Sequence, residues 1–208
     1  MIKKLSWLLC LVFVFFLFHS ISLPNEAKAQ GFDEYRVKSG DSMWKIALKY
    51  QIGVSEIIEA NPQIKNPNLI YPQQLLKVPN IDSVKNVERQ VVALVNQERS
   101  KQGLKPLVVD WEVERVARYK SNDMQAKGYF SHTSPTYGSP FNMLKHFGVN
   151  YRSAGENIAK GQRTPSEVMN SWMNSSGHRA NILNGGYTHI GVGYNASGHV
   201  WTQMFISK

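Results

Sequence analysis

His189-Ile190-Gly191-Val192-Gly193-Tyr194, then Asn195-Ala196-Ser197-Gly198, then Val200-Trp201-Thr202-Gln203-Met204-Phe205-Ile206, reads as two strands and the turn between them. Turn formers between two apolar runs mark a β-hairpin. Side chains along a strand alternate, so Ile190, Val192 and Tyr194 point one way while His189, Gly191 and Gly193 point the other. A histidine beside two glycines leaves an open trough on that face, because no side chain fills the space above them. A third strand, residues 154–159, puts Ala154, Glu156 and Ile158 on one face, and a carboxylate half-buried in a sheet needs a partner. His132, in Tyr129-Phe130-Ser131-His132-Thr133, follows a helix and lies within reach of the same trough.

Helices surround these strands. Val87, Val91, Leu94 and Val95 make a helical stripe that ends near Gly103. Asp110 caps a second helix, with Glu112 and Glu114 in its first turn and Val113, Val116, Ala117 and Met124 on its inner face. Ser139-Pro140 opens a short third helix that ends at Gly148. Thr164-Pro165-Ser166-Glu167 combines a capping box with proline at the first helical position, and Val168, Trp172 and Ser175 share one face of the helix it starts. The chain is therefore an α+β protein.

Ahead of this block lies a smaller one, residues 35–79, with the order strand, helix, helix, strand. Tyr35-Arg36-Val37 ends at Ser39-Gly40. Asp41 or Ser42 caps a helix with Met43, Ile46, Ala47 and Tyr50 at the 3.6 period. A second helix begins near Val54-Ser55, buries Ile57 and Ile58, and stops at Asn61-Pro62. Leu75, Leu76 and Val78 supply the closing strand, Leu76 as core. A block this short is near the lower limit for folding without metal or disulfide. Residues 30–34 read as an acidic spacer before it. Residues 80–86 read as a short polar tether after it, since they lack the Gly/Ser or Pro content of a long linker.

The chain carries 24 Lys+Arg against 15 Asp+Glu, a formal net charge of +9, and a single cysteine. One cysteine excludes a disulfide scaffold and any multi-cysteine zinc or iron–sulfur site. Residues 1–29 have the layout of a secretory signal: Lys3 and Lys4, an apolar run, then Ala27-Lys28-Ala29 before Gln30. That apolar run, residues 5–18, is short against the about 20 residues of a membrane-spanning helix, so no transmembrane segment is expected after cleavage. Export redirects the positive charge from nucleic acid, which is not expected as a partner, to anionic wall polymers, glycans or lipid. An exported chain without disulfides points to a bacterium.

The smaller block resembles a LysM domain over its whole length, through Tyr35-x-Val37-x-x-Gly40-Asp41-Ser42, Ile46-Ala47, Tyr50, Ile57, Asn61-Pro62 and Ile70-Tyr71-Pro72-x-Gln74-x-Leu76-x-Val78-Pro79. The resemblance implies binding of peptidoglycan or another N-acetylglucosamine polymer in a shallow groove. One rim of that groove would hold Gly40, Asp41, Ser42 and Met43, the other Leu69, Ile70 and Tyr71. Backbone amides and carbonyls there suit an acetamide, and apolar side chains suit the sugar face. Gln73 stands where the family usually has glycine, so it either takes a left-handed conformation or shifts the turn.

The larger block, residues 87–208, resembles the CAP or SCP-like superfamily of cysteine-rich secretory, antigen 5 and pathogenesis-related proteins. The matching residues are Leu94-Val95-Asn96-x-Glu98-Arg99, Phe130-Ser131-His132-Thr133-Ser134-Pro135, Gly155-Glu156-Asn157, Trp172-x-x-Ser175-x-Gly177-His178-Arg179-x-Asn181-Ile182 and His189-Ile190-Gly191-Val192-Gly193. The family fold is an α-β-α sandwich with an antiparallel sheet. In that family two histidines and two acids line a cleft, and the histidines of some members hold a divalent metal. By position the cleft residues are His132, Glu156 and His189, with Ser175 in place of the second acid. His132 and His189 are then the candidate ligands for zinc or another divalent cation.

Two functions from different classes follow. The first is a secreted protein of the cell wall or spore surface that binds peptidoglycan through the LysM block and presents the CAP cleft. The second is a metal-dependent peptidase or wall hydrolase using His132, His189 and Glu156. Against the second, these residues form no short metal motif, the two-carboxylate arrangement of a glycosidase is incomplete, and there is no G-x-S-x-G elbow. Glu156 bound to local backbone or to His132, purely to hold the sandwich together, is the alternative to both. His146 and His199 read as ordinary residues, and Trp172, Tyr194, Trp201 and Phe205 as packing.

Overall fold

The computed structural model describes residues 31–208. The expected export signal, residues 1–29, lies outside the described residues. In the smaller domain β1 (Gly31–Arg36) pairs antiparallel with β2 (Leu75–Asn80), and α1 (Met43–Tyr50) and α2 (Val54–Ala60) lie between them in sequence. Ser42 caps α1, accepting the Lys45 amide at 3.2 Å. Tyr35, Val37, Met43, Ile46, Ala47, Ile57, Leu76 and Val78 are buried together, which is the core the alternation and helical periods predict. The expected acidic spacer is absent, because Gly31 to Glu34 already belong to β1 and pair with Asn80 to Lys77.

The tether expected at residues 80–86 is absent too. The helix α3 (Asp82–Lys101) starts two residues after β2 ends, so the domains meet directly. Lys85 of α3 donates to the Tyr50 carbonyl at 2.7 Å, and Arg89 to Gln51 Oε1 at 3.3 Å. Arg115 binds both carboxylate oxygens of Glu56 at 2.8 and 3.1 Å and also Ser55. A β-carbon on Gly53 would collide with the Arg115 guanidinium, so that glycine admits the contact.

The larger domain continues with β3 (Val108–Val109), α4 (Trp111–Ala126), α5 (Pro140–His146), β4 (Ser153–Lys160), α6 (Pro165–Met173), α7 (Ser176–Ile182), β5 (His189–Asn195) and β6 (Val200–Ser207). Its sheet has the order β3-β5-β6-β4. The β4–β6 and β5–β6 pairs are antiparallel as expected, while the short edge strand β3 pairs parallel to β5. Val91, Val95, Val168, Trp172, Ile182, Ile190, Val192, Trp201 and Phe205 form the core under one face, against α3, α6 and α7. Val113, Val116, Ala117, Met143, Leu144, Met204 and Ile206 form the core under the other, against α4 and α5. This is an α-β-α sandwich.

The helix starts follow the caps read from sequence. Asp110 accepts the amides of Glu112 and Val113 at 3.0 and 3.2 Å, Ser139 that of Asn142, and Thr164 that of Glu167. Two further expectations fail. Ser175 does not share a helix with Trp172, since α6 ends at Met173 and Ser175 becomes the N-cap of α7. The trough beside Gly191 and Gly193 is also not open. A β-carbon on Gly191 would run into the backbone of Val113 and Glu114, and one on Gly193 into that of Ala117 and Arg118. Those glycines let α4 lie flat on the sheet.

Candidate functional site

Glu156 points from β4 toward α4, and its Oε1 lies 2.7 Å from His132 Nδ1. The carboxylate side chain is 3% exposed and the imidazole 55%, so a buried acid holds a histidine that faces solvent. Burial pushes the Glu156 carboxyl above its ordinary value, against the pull of His132 and Lys120. The hydrogen bond to Glu156 in turn raises His132, outweighing its own desolvation. Glu156 Oε2 is buried without a hydrogen-bond partner among the described residues. With Nδ1 committed to Glu156, His132 has Nε2 left to bond a ligand or exchange a proton.

Burial lowers the pKa of His178, on α7, and the neighbouring His132 imidazole adds to that lowering. Asn157 Nδ2 donates to the His178 carbonyl at 3.1 Å, and Asn181 Nδ2 donates to Asn157 Oδ1 at 2.8 Å and to the Glu156 carbonyl at 3.2 Å. This asparagine relay ties α7 to β4. Gly155 leaves room for the Tyr187 hydroxyl beneath the strand, which a side chain there would strike.

His189 is not part of this cluster. Glu156 stands opposite Met204 and Met204 opposite Gly191, whereas His189 stands opposite Ile206. Two strand spacings, about 10 Å, and a two-residue offset separate His189 from Glu156 along the sheet. Its Nδ1 lies 2.7 Å from Thr188 Oγ1 instead. The residues present do not fit a metal shared by His132 and His189, and no group of three or more His, Cys, Asp or Glu able to hold a metal ion occurs among the described residues. Ser175, half-buried at the start of α7, makes no side-chain cap hydrogen bond and supplies no acid.

Two residues of α4 that the sequence reading passed over hold the His132 loop from below. Lys120, fully buried, donates to the His132 carbonyl at 2.8 Å and lies 3.3 Å from the Tyr129 hydroxyl. Burial lowers its pKa, with Glu156 and Asp123 opposing. One turn on, Asp123 accepts hydrogen bonds from Tyr129 at 2.5 Å, Ser134 at 2.6 Å and Thr136 at 3.2 Å. Burial raises the Asp123 carboxyl, but the bonds from Ser134, Tyr129 and Lys127 outweigh it and hold it below its ordinary value.

In the smaller domain the loops expected to form the two rims of a notch follow β1 and precede β2. Gly40 takes φ +83° and its carbonyl accepts Lys45 Nζ at 2.6 Å. Asp41 is occupied within the domain, accepting the Tyr35 hydroxyl and the Lys38 amide at 2.8 Å each, and Met43 is buried in the core. Neither side chain is free to touch a ligand, so on this rim the backbone and Ser42 remain. On the other rim Leu69 and Tyr71 are 52% and 59% exposed, while Ile70 packs partly against the core. Gln73 resolves the turn by going left-handed, φ +73°, with its amide on the Val37 carbonyl at 2.8 Å.

Residues 92–206 match the cysteine-rich secretory protein family, and residues 35–79 match the LysM domain. The uncharacterized protein YkwD of Bacillus subtilis is 63% identical over 126 residues, covering 61% of this chain and 49% of its own. The spore coat assembly protein ExsA of Bacillus cereus is 43% identical over 44 residues, 21% of this chain and 7% of its own. Among solved structures, an extracellular protein containing an SCP domain from Bacillus anthracis superposes with a TM-score of 0.58 at 36% identity, covering 66% of this chain and 47% of that one. The chain thus spans about half the length of YkwD and of the B. anthracis protein. No helix among the described residues is long and apolar enough to cross a membrane.

Proposed function

The chain belongs to the cysteine-rich secretory protein family, with a LysM domain ahead of the family domain, and from that premise we propose that it is an exported bacterial protein that grips peptidoglycan and holds the His132–Glu156 cleft against it. A LysM domain implies binding to N-acetylglucosamine polymers, and the extracellular protein from B. anthracis supports a place outside the cytoplasm. The name of ExsA, which shares the smaller domain, supports the spore surface beside the vegetative wall as a location.

The carrying observation is the notch. Leu69 and Tyr71 expose apolar surface on one rim while Ile70 between them packs against the core, and the facing rim offers the backbone around Gly40 and the Ser42 hydroxyl. That pairing suits an N-acetylated sugar, whose acetamide needs polar partners and whose ring face needs apolar cover. The cleft of the larger domain then acts on, or binds, something found where glycan strands are dense. Sedimentation of the full chain with purified peptidoglycan tests this. The wild type is expected in the pellet, and the double variant Leu69→Ala/Tyr71→Ala in the supernatant. Equal retention of the two proteins would overturn the notch as the binding site.

A further inference from the structure

Resting on the peptidoglycan reading above, we infer that Trp44 is a sugar-stacking residue that extends the LysM notch by one subsite, for a pyranose ring beyond those held between the rims. Trp44 is 64% exposed, more than any other large apolar side chain described, and packs against no other aromatic ring among the described residues. It occupies the second position of α1, immediately after the rim that ends at Ser42. Helical side chains lean toward the N-terminus, so the surface an indole covers there lies over the preceding turn, which is the rim itself. The next residue shows this reach directly, since Lys45 folds back from α1 to the Gly40 carbonyl at 2.6 Å.

Three observations say what covers this indole. Leu69 and Tyr71 stand exposed on the opposite rim, so an indole leaning over the first rim would add to the apolar surface they offer a ligand. The polar groups nearby are the Gly40 carbonyl, the Ser42 hydroxyl and the Lys45 ammonium, which match the hydroxyls and acetamides of an aminosugar chain and not the tails of a lipid. On α1 the exposed large apolar side chains are Trp44 and, a turn behind it, Leu48 (41% exposed), a surface too small for a stable protein interface and sized for one ring. A pyranose ring presents an apolar face of C–H groups, and a rigid indole buries it at little conformational cost.

Calorimetry of the full chain with N-acetylglucosamine dimers and hexamers reads this inference as the gain in affinity with chain length. Trp44→Ala is expected to reduce that gain about tenfold, in line with an aromatic contact of about 1.4 kcal/mol, and to leave the dimer within about twofold. Trp44→Phe is expected to recover part of the gain, and circular dichroism of both variants to match the wild type, since the indole is exposed. A hexamer-to-dimer ratio unchanged in Trp44→Ala would overturn the subsite. So would equal weakening of dimer and hexamer, which would place Trp44 in the rim. A wild type that binds neither oligomer removes the peptidoglycan reading first, and the subsite falls with it.

Discussion

The cleft of the larger domain and the notch of the smaller one are built on opposite plans. In the cleft almost every polar group already has a partner: Glu156 holds His132, Lys120 and Asp123 hold the loop that carries it, and Asn157 and Asn181 hold α7. Those partners come from α4, β4 and α7, so the whole sandwich must be folded for the cleft to exist. The notch needs only two short loops closed by local bonds, such as Asp41 to Lys38 at 3.2 Å on one rim and Leu69 to Asn66 at 3.0 Å on the other. What it leaves open is the exposed apolar surface of Leu69 and Tyr71. The lesson is that changes inside the larger domain register first as lost stability, while changes around the notch register first as lost binding.

The strongest test of that contrast is Glu88. Its side chain is fully buried on α3, receives two bonds from Arg118 and one from the Tyr194 amide, and joins α3, α4 and β5 at one point. Glu88→Ala strands a buried guanidinium and is expected to cost about 3–5 kcal/mol, read by urea unfolding. Burial pushes the Glu88 carboxyl up to about 7, against the attraction of Arg118. A raised folded value means that the native state binds the proton more tightly than the unfolded chain. Its contribution is therefore complete below the unfolded value of 4.5 and is lost as pH rises to about 7. Stability should fall across that window, and Glu88→Gln should flatten the fall, leaving the smaller decline that Glu114 and Glu156, raised by burial in the same direction, impose. An unchanged slope in Glu88→Gln would show that the proton is held elsewhere.

Two glycines sharpen the comparison at a smaller scale. Gly191→Ala drives a methyl group into the backbone of α4, which cannot step aside without leaving the sheet, and is expected to cost about 1–3 kcal/mol. Gly40→Ala, at the notch, meets nothing within 4 Å and pays only for its φ of +83°, about 1 kcal/mol. Thermal unfolding of the two variants side by side checks the order. A larger loss at Gly40 would reverse it.

The same two glycine types show what the sequence could reveal. Local chemistry was legible: the caps Ser42, Asp110, Ser139 and Thr164 start helices where they predict. Alternation correctly put Gly191 and Gly193 on the face opposite Ile190, but alternation says nothing about what lies above a face. The glycines read as an open trough because α4, more than sixty residues earlier, could not be placed over them from spacing. For the same reason the resemblance groups His189 with His132, although strand order puts one strand, β6, between the strands that carry His189 and Glu156. His178 stands in the family motif next to Ser175, but sequence spacing alone gives no reason to carry it into the cleft, where α7 brings it near His132. One missed signal was available. On the stripe Val113, Val116, Ala117 and Met124, position 120 faces the core, and a lysine there needs a partner that only the His132 loop supplies.

The smallest expected effect lies at Gln73, on the side of the notch. Its φ of +73° is one that a residue with a β-carbon adopts at a cost of about 1 kcal/mol, and glycine adopts it freely. The bonds at this position are all made by backbone: the amide donates to Val37, and the carbonyl accepts from Arg36 at 3.3 Å. Gln73→Gly keeps them, so the relief of the left-handed geometry outweighs the added freedom of the unfolded chain, and a gain of about 0.5 kcal/mol is expected. Gln51, left-handed at φ +54° at the end of α1, provides the control, because its side chain receives Arg89 across the domain boundary. Gln51→Gly relieves the same geometry but gives up that contact, and its melting temperature should rise less than that of Gln73→Gly. A larger rise at Gln51 would mean that the domain boundary is held by Lys85, Glu56 and Arg115 without help from Arg89.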